Sequence, residues 1–385
     1  MPLRYLTAGE SHGRGLVGIL EGMPAGLALE AAYIDAHLAR RQMGYGRGGR
    51  MKIERDKAEI LSGVRHGKTL GSPIGLLVHN RDWKNWEEVM AVEAGGDESL
   101  RAVRVPRPGH ADMQGVVKYG FSDVRNVLER ASARETAMRV ALASIARKFL
   151  EEFGIHVGSR VVSIGDVRDE SEINFPVSEL NTRADASPVR CLDKGAEKRM
   201  VKAIDDAGEA GDTLGGVVEV AAGGLPVGLG SYAHWDRRLE GALAQALMSL
   251  NAIKGVEVGL GFEAARRRGS EVHDEIFWSG DKTRAERKTN RSGGVDGGVT
   301  TGQPLVVRAA MKPIATLMRP VRSINLETKE EAEAHVERSD VCAVPTAGVV
   351  AESLVALVLA DAFLEKYGGD SMEEIKAHHA ARPHK

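Results

Sequence analysis

Between Ser132 and Gly154 the sequence SARETAMRVALASIARKFLEEFG leaves little choice of local structure. Ala137, Met138, Ala141, Leu142, Ile145 and Phe149 recur every three or four residues, which predicts a helix with one apolar face. Ser132 and Glu135 stand at capping-box spacing, and Gly154 offers a left-handed stop. Arg130 and Arg134 then flank the helix N-terminus, where free N–H groups and the macrodipole already make the end positive. Two arginines there have two readings. They help to hold an anion, or they pair with Glu129, Glu135 or other acids on a solvated face. The dipole contributes about 0.3–1 kcal/mol, whereas micromolar binding takes about 8 kcal/mol. An anion site therefore needs guanidinium groups from other segments.

The composition permits such a cluster without making the whole chain basic. Its 385 residues carry 52 Lys and Arg against 54 Asp and Glu, for a formal net charge of −2. That balance argues against a general nucleic-acid binder or a polybasic membrane anchor. The length suffices for one large core or two ordinary ones. No apolar run is expected to reach the ~20 residues of a bilayer span, and MPLRYLTAGE lacks the apolar centre of a signal peptide. Cys191 and Cys342 fit neither zinc spacing nor a structural disulfide, so no metal site is expected and the chain reads as a cytoplasmic protein.

Several turns carry candidate chemistry. A strand over Arg4–Thr7 leads into GESHG, with Ser11 and His12 between Gly9 and Gly13, and a second strand follows over Leu16–Leu20. Gly13, Gly15 and Gly18 match GxGxxG, but Gly18, Gly22 and Pro24 interrupt the helix that a dinucleotide site requires there. A helix over Ala31–Arg41 runs into RRQMGYGRGGRM, whose glycines let the backbone bend while Arg40, Arg41, Arg47 and Arg50 offer forked donors for phosphate or carboxylate; a plain surface loop is the other reading. GVRHGKT is one residue short of a P-loop. Arg81–Arg101, with Trp83 and Trp86, reads as an excursion, a lid or an oligomer contact. In RPGHAD, Pro106, Pro108 and Gly109 present His110 on a stiff turn.

Farther along, strands are expected over Val157–Ile164, Gly215–Ala221, Val256–Leu260 and Pro304–Met311. Helices are expected over Ala196–Ala207, Leu239–Ile253 and Ala347–Lys366. Asp274–Arg291 reads as a flexible loop and the tail after Asp370 as frayed. NRSGGVDGGVTTG, KPIAT and RSDVCAVP could add a phosphate or ring site and a platform before the last long helix.

Taken together, GESHG, RRQMGYGRGGRM, SGVRHGKT, RPGHAD, RASARETA, GDTLGGVVE, NAIKGVE, AAMKPIAT and RSDVCAVPTAGVV closely resemble the chorismate synthase family over nearly the whole chain. The resemblance implies an α+β fold, a β-α-β sandwich with a helical layer between antiparallel sheets, in a single domain over 1–385 that assembles as a homotetramer. It implies a lyase that converts 5-enolpyruvylshikimate 3-phosphate to chorismate and phosphate by 1,4-anti elimination, using reduced FMN without net redox change. Some relatives reduce the flavin with NADPH, and others depend on an external flavin reductase.

By the same resemblance, Arg41, Arg47, Arg50, Arg107, Arg134 and Arg338 cradle the substrate. Arg130, Ala131, Ser132, Asn251, Ala252, Gly297, Lys312, Pro313, Ile314, Ala315, Thr316 and Arg338 bind the flavin. His12 would protonate the departing phosphate, His110 would serve the anionic flavin, and Ser11 with Asp340 would form a proton relay. An ATP-dependent enzyme built on GVRHGKT and a polyanion binder are the rival classes; ATP-shifted stability or salt-sensitive retention would mark them.

Overall fold

The computed structural model describes residues 2–48, 55–97, 99–337 and 339–381. Arg50 and Arg338, both expected at the site, lie outside the described residues.

Four strands form the first antiparallel sheet. Arg4–Ala8 pairs with Gly15–Glu21, which pairs with Ile74–His79, and Ala58–Ile60 closes the order. Alternation decides its faces: Leu16, Leu20, Ile74, Leu76 and Val78 point inward and are buried. The second sheet runs Ile253–Val258, Leu305–Met311, Gly216–Gly223, His156–Ile164 and Val167–Arg168, again antiparallel between neighbours. Across it Arg160, Glu219, Arg308 and Glu257 stand directly opposite one another on successive strands and pair as alternating charges.

Helices fill the space between the sheets. Helix α1 spans Ala31–Arg41, the bounds its periodicity predicts. Helices α2 and α3 cover Asp112–Tyr119 and Arg125–Ala131, and α4 covers Thr136–Glu151. Helix α4 packs on the first sheet, and the long helix Val344–Tyr367 packs on the second while also contacting α4. The expected apolar face of α4 proves too narrow a description, because a helix in a middle layer is covered on all sides: Thr136, Ser144 and Arg147 are buried along with its aliphatic residues. Gly18 allows this approach. A Cβ there would sit 2.5 Å from Met138 Sδ and 2.9 Å from Leu142 Cδ1.

Several local expectations are corrected. The α4 region begins with a 3₁₀ turn, Ala133–Glu135, and Ser132 Oγ accepts from the Arg134 N–H while Glu135 pairs with Arg139 instead of completing a capping box. Arg130 falls in the last turn of α3, not at a helix N-terminus. The segment expected as a flexible loop contains a hairpin of Ile276–Trp278 with Ala285–Arg287. The tail folds as the helix Met372–Ala381, anchored by buried Met372 and Ile375. The helix Leu239–Met248 stops before the expected Ile253, which opens a strand. Val344–Tyr367 is, contrary to expectation, long and apolar enough to cross a membrane by length and composition, but 89% of its most apolar window is buried inside the fold. Both cysteines are free and buried, and burial pushes each thiol up to about 11.

Candidate active site

One cavity of about 500 Å³ opens where the turn after the first strand, the end of α1 and the loop that follows it, the loop before α2, the α3–α4 junction, the turn at Leu250–Ala252, the strand exit after Met311 and the start of the long helix meet. Its walls combine apolar surface from Leu128, Leu250, Met311 and Val350 with the basic side chains of Arg41, Arg47, Arg107, Arg134 and Lys312. Glu337 and Asp340 are the carboxylates lining it among the described residues. The excess of positive charge suits an anionic ligand with an apolar or planar portion.

The first histidine is held by a residue that the sequence did not single out. Gly9, at φ +110, has no room for a Cβ, which would lie 2.5 Å from the Gly15 carbonyl. This tight reversal brings Ser11 and His12 over α3. The Ser11 N–H donates to the Glu129 carbonyl, and the His12 N–H donates to Glu129 Oε2 at 2.8 Å. His12 Nδ1 lies 2.9 and 3.0 Å from the two carboxylate oxygens of Glu129, which also accepts from Arg125 at 2.9 Å. Burial opposes the Glu129 charge, but the bonds from His12 and the nearby Arg125 hold its carboxyl below the ordinary value. An ionised carboxylate at Nδ1 selects the tautomer that carries its proton there.

The second histidine repeats the arrangement. Asp112, fully buried at the start of α2, lies 2.5 Å from His110 Nδ1 and accepts from Arg107 through its N–H at 3.0 Å and Nε at 2.8 Å. Burial works against this charge, yet the hydrogen bonds from His110 and Arg107 prevail and keep the carboxyl well below its usual range. Arg107 reaches on to Thr316 Oγ1 at 3.1 Å, tying the histidine loop to the Lys312–Thr316 strand exit.

The remaining arginines are also held from behind. Arg134 donates to Asp56 at 2.6 Å, and Arg41 lies 3.8 Å from the same carboxylate while bonding Thr136 Oγ1 and the Ala133 carbonyl. Arg47 contacts Thr346 Oγ1 and Asp340, which also accepts from the Gly48 N–H at 2.7 Å. On the opposite wall Asn251 Nδ2 donates to the Ala131 carbonyl. Asn251 Oδ1 is buried and has no hydrogen-bond partner among the described residues. Ala252 adopts φ +66, and its carbonyl accepts from the Lys312 N–H. Burial and the neighbouring Lys254 lower the affinity of Lys312 for its proton.

The cavity thus gathers Ser11, His12, Arg41, Arg47, Arg107, His110, Ala131, Ser132, Arg134, Asn251, Ala252, Lys312, Ile314, Ala315, Thr316 and Asp340. It does not gather every expected residue. Arg130 is exposed and donates to the Thr7 and Gly9 carbonyls. Gly297 sits in the turn between Val295–Asp296 and Val299–Thr300, away from the cavity wall, and Pro313 does not line it. Ser11 Oγ meets Ser132 Oγ at 3.2 Å, and Asp340 is engaged by Gly48 and Arg47. Glu129, Asp112, Asp56 and Glu337 were missed. A carboxylate at i+4 from Arg125 was visible in the sequence, but its pairing with His12, 117 residues away, was not.

Comparison with known proteins agrees with this picture. The model of the chorismate synthase family matches residues 3–364. The chorismate synthase of Symbiobacterium thermophilum is 60% identical over 377 residues, covering 97% of this chain and 96% of that protein. That of Geobacter sulfurreducens is 57% identical over 383 residues, covering 97% and 96%. A crystal structure of chorismate synthase superposes with a TM-score of 0.79 at 46% identity, covering 99% of this chain and 97% of the other. The chain belongs to the chorismate synthase family and is an enzyme of the lyase class.

Proposed function

We propose that this chain catalyses the 1,4-anti elimination of phosphate from 5-enolpyruvylshikimate 3-phosphate, giving chorismate and inorganic phosphate, as a cytoplasmic homotetramer. The observation that carries the reading is the meeting, in one cavity, of two histidines whose Nδ1 atoms face buried carboxylates with arginines from three separate segments. The substrate bears a phosphate and two carboxylates, which forked guanidinium donors match. Arg41, Arg47, Arg107 and Arg134 bind it, with Arg50 and Arg338 assigned to the same task on the family pattern. His12 delivers a proton from Nε2 to the leaving phosphate, so that the C3–O bond breaks without building a trianion. Glu129 offsets the charge of the imidazolium before that transfer.

The cavity residues also fit reduced FMN. The buried orphan acceptor Asn251 Oδ1, the apolar Leu250 and Met311, and the cationic Lys312 suit a polar-edged planar ring with an anionic tail. Ala131, Ser132, Asn251, Ala252 and Lys312–Thr316 would hold it. When bound, reduced flavin would supply electron density to the substrate without net redox change. His110 holds a proton beside the anionic ring, oriented by Asp112. Ser11 and Asp340 line the same cavity, and their relay remains part of the proposal through ligands that both would touch. Arg130, by contrast, acts by fixing the Ser11–His12 turn through Thr7 and Gly9.

The test is anaerobic conversion of the enolpyruvyl phosphate with dithionite-reduced FMN and no pyridine nucleotide. Stoichiometric chorismate and phosphate are expected; absence of product with bound substrate and flavin would refute the reaction. Repeating the assay with oxidised FMN and NADPH separates a chain that reduces its own flavin from one served by an external reductase.

A further inference from the structure

We propose that Trp86 is a positioning residue for His12, fixing the plane of its imidazole while Glu129 fixes its edge. The proposal rests on the role assigned to His12 above. The two ring centroids are 3.7 Å apart with planes inclined by 21°, a stacked contact. A hydrogen bond at Nδ1 fixes one direction in the imidazole plane but still permits the ring to tilt about it. A flat partner on its face removes that freedom. Together the two contacts determine where Nε2 points, and proton transfer depends on that direction.

The excursion carrying Trp86 is built around this contact. None of its described residues from 81 to 101 is buried, so the segment has no apolar core of its own to explain where the indole lies. Its base is tied to the His12 turn: Asn80 Nδ2 donates to the Gly13 carbonyl at 2.9 Å, and the Asn80 N–H donates to the Arg14 carbonyl. Trp86 Nε1 donates to Asp82 Oδ2 at 3.0 Å, which orients the indole within the segment. At the far end the Arg101 guanidinium lies 4.3 Å from the indole centroid, and the Arg101 carbonyl accepts from Arg125 Nε at 2.7 Å. Arg125 also bonds Glu129 and approaches the same indole at 5.2 Å. One arginine thus joins the carboxylate and the aromatic surface that hold the histidine.

Two measurements on the full chain test the assignment. Stacking of this kind is worth about a three- to tenfold effect. Trp86→Ala is therefore expected to lower kcat about three- to tenfold, with the substrate Kd changed less than about twofold, and Trp86→Phe is expected to restore most of the loss. An unchanged kcat, or parallel losses in kcat and substrate binding, would overturn the proposal. The second measurement needs no turnover. In a chain with Trp83, Trp235 and Trp278 replaced by Phe, Trp86 emission is expected to be quenched by the adjacent imidazole and to rise on His12→Gln. Emission that does not respond to His12→Gln would refute the stack. Failure of the parent chain to form chorismate would instead remove the proposed reaction, leaving the fluorescence result to decide the contact.

Discussion

Asp112→Asn is the substitution that most directly separates charge from shape at this site. The carboxylate is 0% exposed and receives the Arg107 N–H at 3.0 Å, Arg107 Nε at 2.8 Å, Arg107 Nη2 at 3.2 Å and His110 Nδ1 at 2.5 Å. An amide of nearly equal size keeps one acceptor oxygen and turns an NH₂ toward groups that are themselves donors. Removing one partner from a buried ion pair costs about 3–5 kcal/mol, and the separate bonds to charged groups, about 1.5–3 kcal/mol each, do not simply add. The variant should therefore lose about 3–5 kcal/mol of stability at pH 7. His110 should lose its fixed tautomer, with turnover falling by as much as about 10⁴-fold, the loss seen when the orienting aspartate of a Ser-His-Asp triad is neutralised.

Chorismate release under anaerobic, flavin-reduced conditions reads the activity, and thermal melts read the stability. The acid dependence supplies the sign. The folded carboxyl is held below its ordinary value, so its contribution is present above about pH 4 and is lost as pH falls further. The gap between parent and variant should therefore narrow toward pH 3. A variant that retains turnover within about threefold and melts like its parent at pH 7 would refute the account of His110.

Three further outcomes follow from the same coordinates. Arg134→Ala removes a cavity guanidinium and should weaken substrate binding about 10- to 100-fold, the effect of one charged hydrogen bond, while leaving flavin affinity within about threefold; equal losses in separate titrations would indicate collapse of the α3–α4 junction. Gly18→Ala should cost about 1–3 kcal/mol, because its Cβ meets Met138 and Leu142 under 3 Å, and an unchanged melting temperature would show that α4 can yield there. Glu352→Ala should cost about 3–5 kcal/mol, since this fully buried carboxylate accepts from Arg40 at 2.5 Å and Arg147 at 2.9 Å and from Ser159 at 2.7 Å. Burial opposes its charge, but the arginines bring its carboxyl down to about 2, and a variant as stable as the parent at neutral pH would contradict their importance.

What the sequence discloses depends on the range of the interaction. Helix α1 follows from local periodicity, and the GESHG reversal follows from glycines that the backbone requires. Strand order is different: Ala58–Ile60 joins Ile74–His79 after an intervening hairpin of Val64–Arg65 with Lys68–Thr69, while Arg4–Ala8 lies at the opposite edge of the same sheet. Periodicity contains no information about that pairing, and the layered architecture came from family resemblance. The site divides similarly. Its histidines and arginines stand out because they sit on glycine- or proline-marked turns, whereas Glu129 and Asp112 look like ordinary helix residues until the fold places them at Nδ1. Trp86 stood within a recognisable excursion, but its target was 74 positions away in the chain.

Carboxylates paired behind the cavity also explain how a chain of net charge −2 can keep so many cations in one place. A group of guanidiniums without counter-charges would repel one another and turn toward solvent when no ligand is bound. Asp56 holds Arg134 and stands near Arg41, Asp112 holds Arg107, and Asp340 holds Arg47. Each pair fixes the direction of a guanidinium fork at the cavity wall. The acids thus sacrifice part of the cavity's attraction for anions in return for an arrangement that is set before binding, which reduces the ordering cost when an anionic ligand arrives.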